Sequence, residues 1–211
     1  MRWSFGVAPL RQVLDLAPLL RRVIGLVLSL EAPHPAVDRL AAALRSAEEE
    51  LRHLLPVDPA PRIGPEAAAN RRVYVDHSRD IGDFNPCFPT YQIHVDGDRA
   101  SGTVAFPLAY EGPPGIVHGG FLALFFDSIV QQHNCDVGLA GKTSSLAVKY
   151  RRPTPLLAEL RFEVERSVED RRITSTARLM AGAAVLCEAQ VSAVAGDRAA
   201  MPDVSPRRTE A

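Results

Sequence analysis

Between Gly119 and Asn134 the chain carries Phe121, Leu122, Ala123, Leu124, Phe125, Phe126, Ile129 and Val130 around nearly the whole helical period. A helix of that kind cannot stand in water and has to be buried on most of its sides. What lies on either side of it says how. Before it, Tyr91, Ile93 and Val95 alternate with Gln92, His94 and Asp96, Asp96-Gly97 makes a hairpin turn, and a second strand is expected from about Arg99 to Leu108. After it come four more alternating segments, marked by Leu146/Val148/Tyr150, Leu160/Phe162/Val164, Ile173/Ala177/Leu179 and Val185/Cys187/Ala189/Val191. Glu169-Asp170 and Ala181-Gly182 supply the turns between the last three. Two strands, one buried helix and four strands are satisfied by an α+β arrangement in which a curved antiparallel sheet wraps the helix.

Upstream the period is 3.6. Apolar residues at 10, 13, 14, 17, 20, 24, 27 and 28 form a helical stripe, and Pro18 inside it predicts two helices with a break between them. Val37, Leu40, Ala41, Leu44, Ala47, Leu51 and Leu54 line one face of a further helix over 36–55. A Pro-rich linker runs from Pro56 to Pro65, and Asp76 to Pro89 reads as an ordered loop. The expected organisation is a helical extension with linker over 1–70, the sheet-and-helix domain over 71–196, and a loose tail over 197–211. The helical extension is expected to pack on the domain, its own or a partner's, and to influence access to the site. The first thirty residues are Arg-bearing and almost free of acid, which imitates a transit peptide; a packed helix accounts for them better.

Composition excludes several classes. With 46% apolar and 23% charged residues, 211 residues hold a sizeable core, and a net charge of -1 without a basic stripe speaks against nucleic acid. No apolar run reaches the roughly 18 residues a membrane helix needs. Cys87, Cys135 and Cys187 are odd in number and make no CxxC or Cys/His cluster, which suits a reducing, cytoplasmic setting and no metal. His133 and Cys135 near the helix end have no third ligand and read as structural.

Asp127 is the residue that points to chemistry. It interrupts the apolar helix where a carboxylate would have to be buried, and an unpaired buried carboxylate costs several kcal/mol. It is either satisfied by hydrogen bonds or held as a base or nucleophile in a dry cleft. Gly119 and Gly120 open the same helix, where unpaired N–H groups and the dipole favour negative charge and can serve as an oxyanion hole. His118, just before the helix, suits proton transfer, although orienting the turn is the more ordinary role for it. Lys149, Arg151 and Arg152 leave a strand beside the site and would suit phosphates; a solvated strand end is the competing reading.

Gly-Ile-Val-His-Gly-Gly at 115–120, with Asp127 nine positions after His118, resembles the signature of PaaI-like hotdog acyl-CoA thioesterases. Thr143 before Ser-Ser-Leu-Ala-Val-Lys-Tyr, and Tyr-Arg-Arg-Pro-Thr-Pro-Leu at 150–156, extend the likeness over about 85–196. The resemblance implies a hotdog fold, a homodimer or dimer of dimers, acyl-CoA as substrate and no cofactor. It places the thioester carbonyl on the Gly119 N–H, makes Asp127 the base or nucleophile, and brings Thr143 to assist the water from the second subunit. Many such proteins carry Asn six residues before the His, where this chain has Gly112. The alternatives are a hydratase or dehydratase, whose Asp or Glu pairs with a His at another spacing, and a non-catalytic acyl-CoA-binding module.

Overall fold

A computed structural model describes residues 8–55, 58–62, 71–73, 75, 79–136 and 141–196. The expected tail over 197–211 lies outside them, as does part of the Pro-rich linker. The chain begins with helices α1 (Arg11–Leu28) and α2 (Pro35–Arg52). Two short parallel strands, β1 (Asp58–Arg62) and β2 (Arg71–Val73), follow, and the one-turn helix α3 (Ile81–Phe84) lies in the expected loop. Next come β3 (Tyr91–Asp96), β4 (Arg99–Ala105), a 3-10 turn at Leu108–Tyr110 and the central helix α4 (Gly119–Asp136). The strands β5 (Gly141–Tyr150), β6 (Glu159–Glu169), β7 (Arg172–Ala181) and β8 (Ala184–Ala195) complete the chain.

All six expected strands are present and form one antiparallel sheet in the order β3-β4-β6-β7-β8-β5. Helix α4 touches β3 at one edge and β5 at the other, as well as β7 and β8 between them. Five inter-strand gaps make a flat sheet about 24 Å wide, more than twice the width of a helix. The sheet therefore has to curl around α4 to touch it at both edges.

The helix turns a stripe toward the sheet: Leu122, Phe125, Phe126, Ile129 and Val130 are buried. Phe125 is the hub, edge-on to Phe106, Phe162 and Tyr91 at centroid distances of 5.4, 5.5 and 5.8 Å. The expectation that α4 is buried on most of its sides holds, and one side is open. Leu124 is 43% exposed, and Asp127, Ser128 and Gln131 are only half-buried. One face of the helix is left uncovered by this chain.

Gly102 sets how closely β3, β4 and β6 approach. It pairs with Ile93 on one side and Phe162 on the other. A Cβ there would stand 1.8 Å from the Gln92 carbonyl oxygen and 2.5 Å from Phe162 Cζ. Gly102→Ala is expected to cost about 3 kcal/mol or more, read as a fall in Tm by calorimetry; an unchanged Tm would mean the strands can part without loss.

Helix α1 differs from expectation. It runs unbroken through Pro18, although that residue leaves the Leu14 carbonyl without its donor. Tertiary contacts outweigh that loss, and Arg21 makes the main one. Only 5% exposed, it donates to the carbonyls of Phe88 (2.6 Å), Asn85 (3.2 Å) and Gly82, and to Thr90 Oγ1 (2.8 Å). One guanidinium thus satisfies three carbonyls in the loop that carries α3. Helix α2 starts as its sequence dictates, with His34 Nδ1 accepting from the Ala36 N–H at 3.2 Å and Pro35 at the first position. It buries none of its residues.

The Pro-rich stretch was read as a linker marking a boundary, and its part at Asp58–Arg62 forms a strand that pairs with Arg71–Val73. Proline lacks only a donor, so an outer strand whose carbonyls accept can contain it.

Candidate active site

The start of α4 is built by its own loop. Gly112 N–H donates to the Ile116 carbonyl at 2.8 Å, Gly115 N–H to Glu111 Oε1 at 2.7 Å, and His118 N–H to the Tyr110 carbonyl at 2.8 Å. His118 then caps the helix: its Nδ1 accepts from the Gly120 N–H at 3.0 Å. The proton of the neutral ring therefore sits on Nε2. This is the turn-orienting role, and it occupies the Gly120 N–H that was expected to bind substrate. A Cβ on Gly120 would come within 3.1 Å of His118 Nδ1, so glycine keeps the cap tight.

Gly119 is left with the open donor. No acceptor for its N–H occurs among the described residues, whereas its carbonyl accepts from the Tyr150 hydroxyl at 2.8 Å. The Tyr150 ring lies over the glycine, 3.1 Å from where a Cβ would be. Tyr150 was read from the sequence as one of the alternating residues of β5 and as the start of the 150–156 stretch, with no part in the site; it is 55% exposed and braces the helix start.

Eight residues along, Asp127 faces β5. Thr143 donates to Asp127 Oδ1 at 2.7 Å, and Gln131 Nε2 donates to the same Thr143 oxygen at 2.6 Å. Gln131 stands one helical turn beyond Asp127 and steadies the hydroxyl from behind. That i+4 spacing was the signal available for it in the sequence. Thr143 sits where the β5–β8 register shifts, between Thr143 and Ser145, which tilts its side chain out of the alternation. The second oxygen of Asp127 has no partner among the described residues. Asp127 is half-buried, so the expectation of a carboxylate sealed in the core does not hold for a single chain.

A second expectation is corrected as well. The resemblance brings Thr143 to Asp127 from the other subunit, but both residues belong to the same chain here. It is Gly119 and Asp127 that are far apart, by about 12 Å along the helix axis at 1.5 Å per residue.

The basic residues after β5 are not equivalent. Arg151 is held by Glu188, through Nε at 2.8 Å and Nη2 at 2.7 Å, and this pairing holds the Glu188 carboxyl below its usual range. Lys149 lies opposite Glu188 in the ladder. Arg152 is exposed, and its backbone N–H donates to Leu186. Of the three, Lys149 and Arg152 have side chains free of a salt bridge among the described residues.

His133 is fully buried, with Nε2 3.0 Å from the Gly97 carbonyl. No group of three or more His, Cys, Asp or Glu that could hold a metal occurs among the described residues, and none of their helices is long and apolar enough to cross a membrane. A cavity of about 560 Å³ lies away from α4, between α1 and the end of β4, and is lined by Pro18, Gly25, Leu26, Ala105, Leu108 and Leu157 among others.

The fold is similar to that in the crystal structure of a thioesterase superfamily protein, with a TM-score of 0.71 and 28% identity over 90% of this chain and 95% of that one. That coverage reaches well beyond residues 71–196 and so takes in the N-terminal side of the chain. Two shorter chains are similar at lower scores. One is a hypothetical thioesterase protein from Streptococcus pneumoniae solved with coenzyme A (TM-score 0.48, 18% identity, 54% of this chain and 91% of that). The other is a phenylacetic acid degradation-related thioesterase from Ralstonia eutropha (TM-score 0.45, 17% identity, 50% of this chain and 83% of that). No protein-family model and no curated protein matches the chain. The architecture is the hotdog fold of the thioesterase superfamily, with two helices ahead of it.

Proposed function

We propose that this protein hydrolyses an acyl-CoA thioester to the free acid and CoA. The observation that carries this reading is the Gln131–Thr143–Asp127 hydrogen-bond chain beside an uncovered helix face. Thr143 spends its proton on Oδ1, which leaves Oδ2 as the oxygen able to take a proton from water. Water attacks the thioester carbon while its proton passes to Asp127. The carbonyl oxygen becomes an oxyanion, stabilised by the Gly119 N–H at a helix start. Collapse breaks the C–S bond, and the CoA sulfur leaves with the proton held by Asp127. His118 acts by holding the helix start rather than by moving a proton. Lys149 and Arg152 are the side chains best free to meet the CoA phosphates. The test is thiol release over short, long and aromatic acyl-CoAs; no turnover of any of them by folded protein would favour a binding module.

The 12 Å between Gly119 and Asp127 supports a site divided between two subunits, with Gly119 from one chain and the Asp127–Thr143 pair from the other. Proline fits the first position of a helix and removes the N–H; because Gly119→Pro also sets a Cβ 3.1 Å from the Tyr150 ring, Gly119→Ala, which keeps the N–H, is the control for crowding. Mixing Gly119→Pro chains with Asp127→Asn chains is expected to restore about a quarter of wild-type turnover, since half the dimers are mixed and each then has one intact site. Mixing Asp127→Asn with Thr143→Ala chains should restore nothing, because those groups share a chain. Rescue in the second mixture and not the first would reverse the division.

A further inference from the structure

Helix α2 is well formed yet buries no residue, and its apolar positions are spaced with unusual regularity. Val37, Leu40, Leu44, Ala47 and Leu51 follow one another at 3, 4, 3 and 4 residues, with Ala41 beside them, and Leu54 continues the spacing just past the helix end at Arg52. That is the strict a/d repeat of a seam between helices, narrower than the stripe of a helix lying on a globular body. Only its first turn is used within the chain, where Val37 and Leu40 line a groove of about 190 Å³ with Val23, Leu26 and Val27 of α1 and with Leu30 just after it. Beyond that turn the seam is open: Leu44 is 50% exposed, Leu51 58% and Leu54 77%. The Arg21 clasp fixes α1 on the domain, so α2 is the member left projecting.

We infer that α2 pairs antiparallel with α2 of a second copy of this chain. Leu44 then lies against Ala47 of the other helix, and Leu51 and Leu54 enter the other chain's α1–α2 groove. Two-fold symmetry repeats each contact, and the four helices close into one bundle. Charge selects this occupant and this direction. The seam is flanked by Ala41 and Ala43 in its first half and by Glu48 and Glu50 in its second. An antiparallel copy sets each acidic half against an alanine half. A parallel copy in register gathers all four glutamates at one height. The alternation of leucine with alanine across the middle lets the backbones approach.

This interface is separate from any contact between hotdog bodies, so its test reads one association step. Sedimentation velocity of the full chain carrying Leu44→Arg and Leu51→Arg should show half the mass of the wild type, with helicity by circular dichroism unchanged. In a Cys87→Ser background, chains carrying Leu44→Cys mixed with chains carrying Ala47→Cys should give a disulfide-linked dimer on oxidation, well above either variant alone. An unchanged mass overturns the proposal, and so does a mixture that gives no more linked dimer than Leu44→Cys alone. The first outcome would leave the seam to closure on its own α1 or to a different protein; the second would mean a parallel pair.

Discussion

Replacing Asp127 with Asn is expected to lower turnover of the best acyl-CoA by about 10²-fold or more, the ordinary scale for losing a general base. The variant should remain folded, because the amide oxygen of the new side chain can take the place of Oδ1 and still accept from Thr143. The lost property is the ability to take a proton. Thr143→Ala should cost less, since it removes the group that fixes the carboxylate and leaves the base itself. Steady-state thiol release with a thermal melt on the same samples checks both. Turnover near that of the wild type in folded Asp127→Asn would remove this residue from the reaction.

Arg21→Ala is expected to destabilise the protein by about 3 kcal/mol or more, because it leaves buried carbonyls without donors. The carbonyls of Gly82 and Phe88 lose this donor together, Asn85 keeps only the Phe88 N–H, and α1 loses the contact that outweighs Pro18. The same change reaches Tyr110, whose hydroxyl burial pushes up to about 12 while the neighbouring Arg21 charge pulls it down. Lysine should not restore stability, since one ammonium cannot reach the separate acceptors that a planar guanidinium spans. Urea unfolding of the three proteins checks this. A midpoint unmoved in Arg21→Ala would show that the helix is held by its apolar face alone.

The strands and the central helix were legible because period 2 and period 3.6 are strong signals when one face is buried. Leu160, Phe162 and Val164 alternate in the sequence and are buried in the sheet. The unbroken α1 was not legible, since its continuity rests on Arg21 contacts 61 to 69 residues away. Asp127 and Gly119 stood out by residue type, one as a carboxylate among aromatics and one as a glycine at a helix start. Gln131 and Tyr150 did not, because their parts depend on how β5 lies across α4. The vacancy at Gly112 also has a local cause that residue type alone does not reveal. A Cβ there would stand 2.8 Å from His118 Cα, so this loop has no room for the Asn that the resemblance would place there. Gln131, reaching Thr143 from the helix, is the amide nearest the carboxylate instead.

The sheet order has a consequence for how the chain is made. Strand β5 lies at the edge, and β8 is its only neighbour in the sheet. Thr143 is paired with Ala193, fifty residues later and almost at the end of the last strand. During synthesis α4 and Asp127 are complete early, and the hairpin of β6 with β7 closes on local contacts. Until Ala184–Ala195 has been added, β5 has no ladder partner, and only its contacts with α4 hold Thr143 beside the carboxylate. The proton-accepting pair is thus fixed in place by the final strand, and a nascent chain ending at Ala181 would carry the carboxylate and the hydroxyl without the ladder that sets them in register.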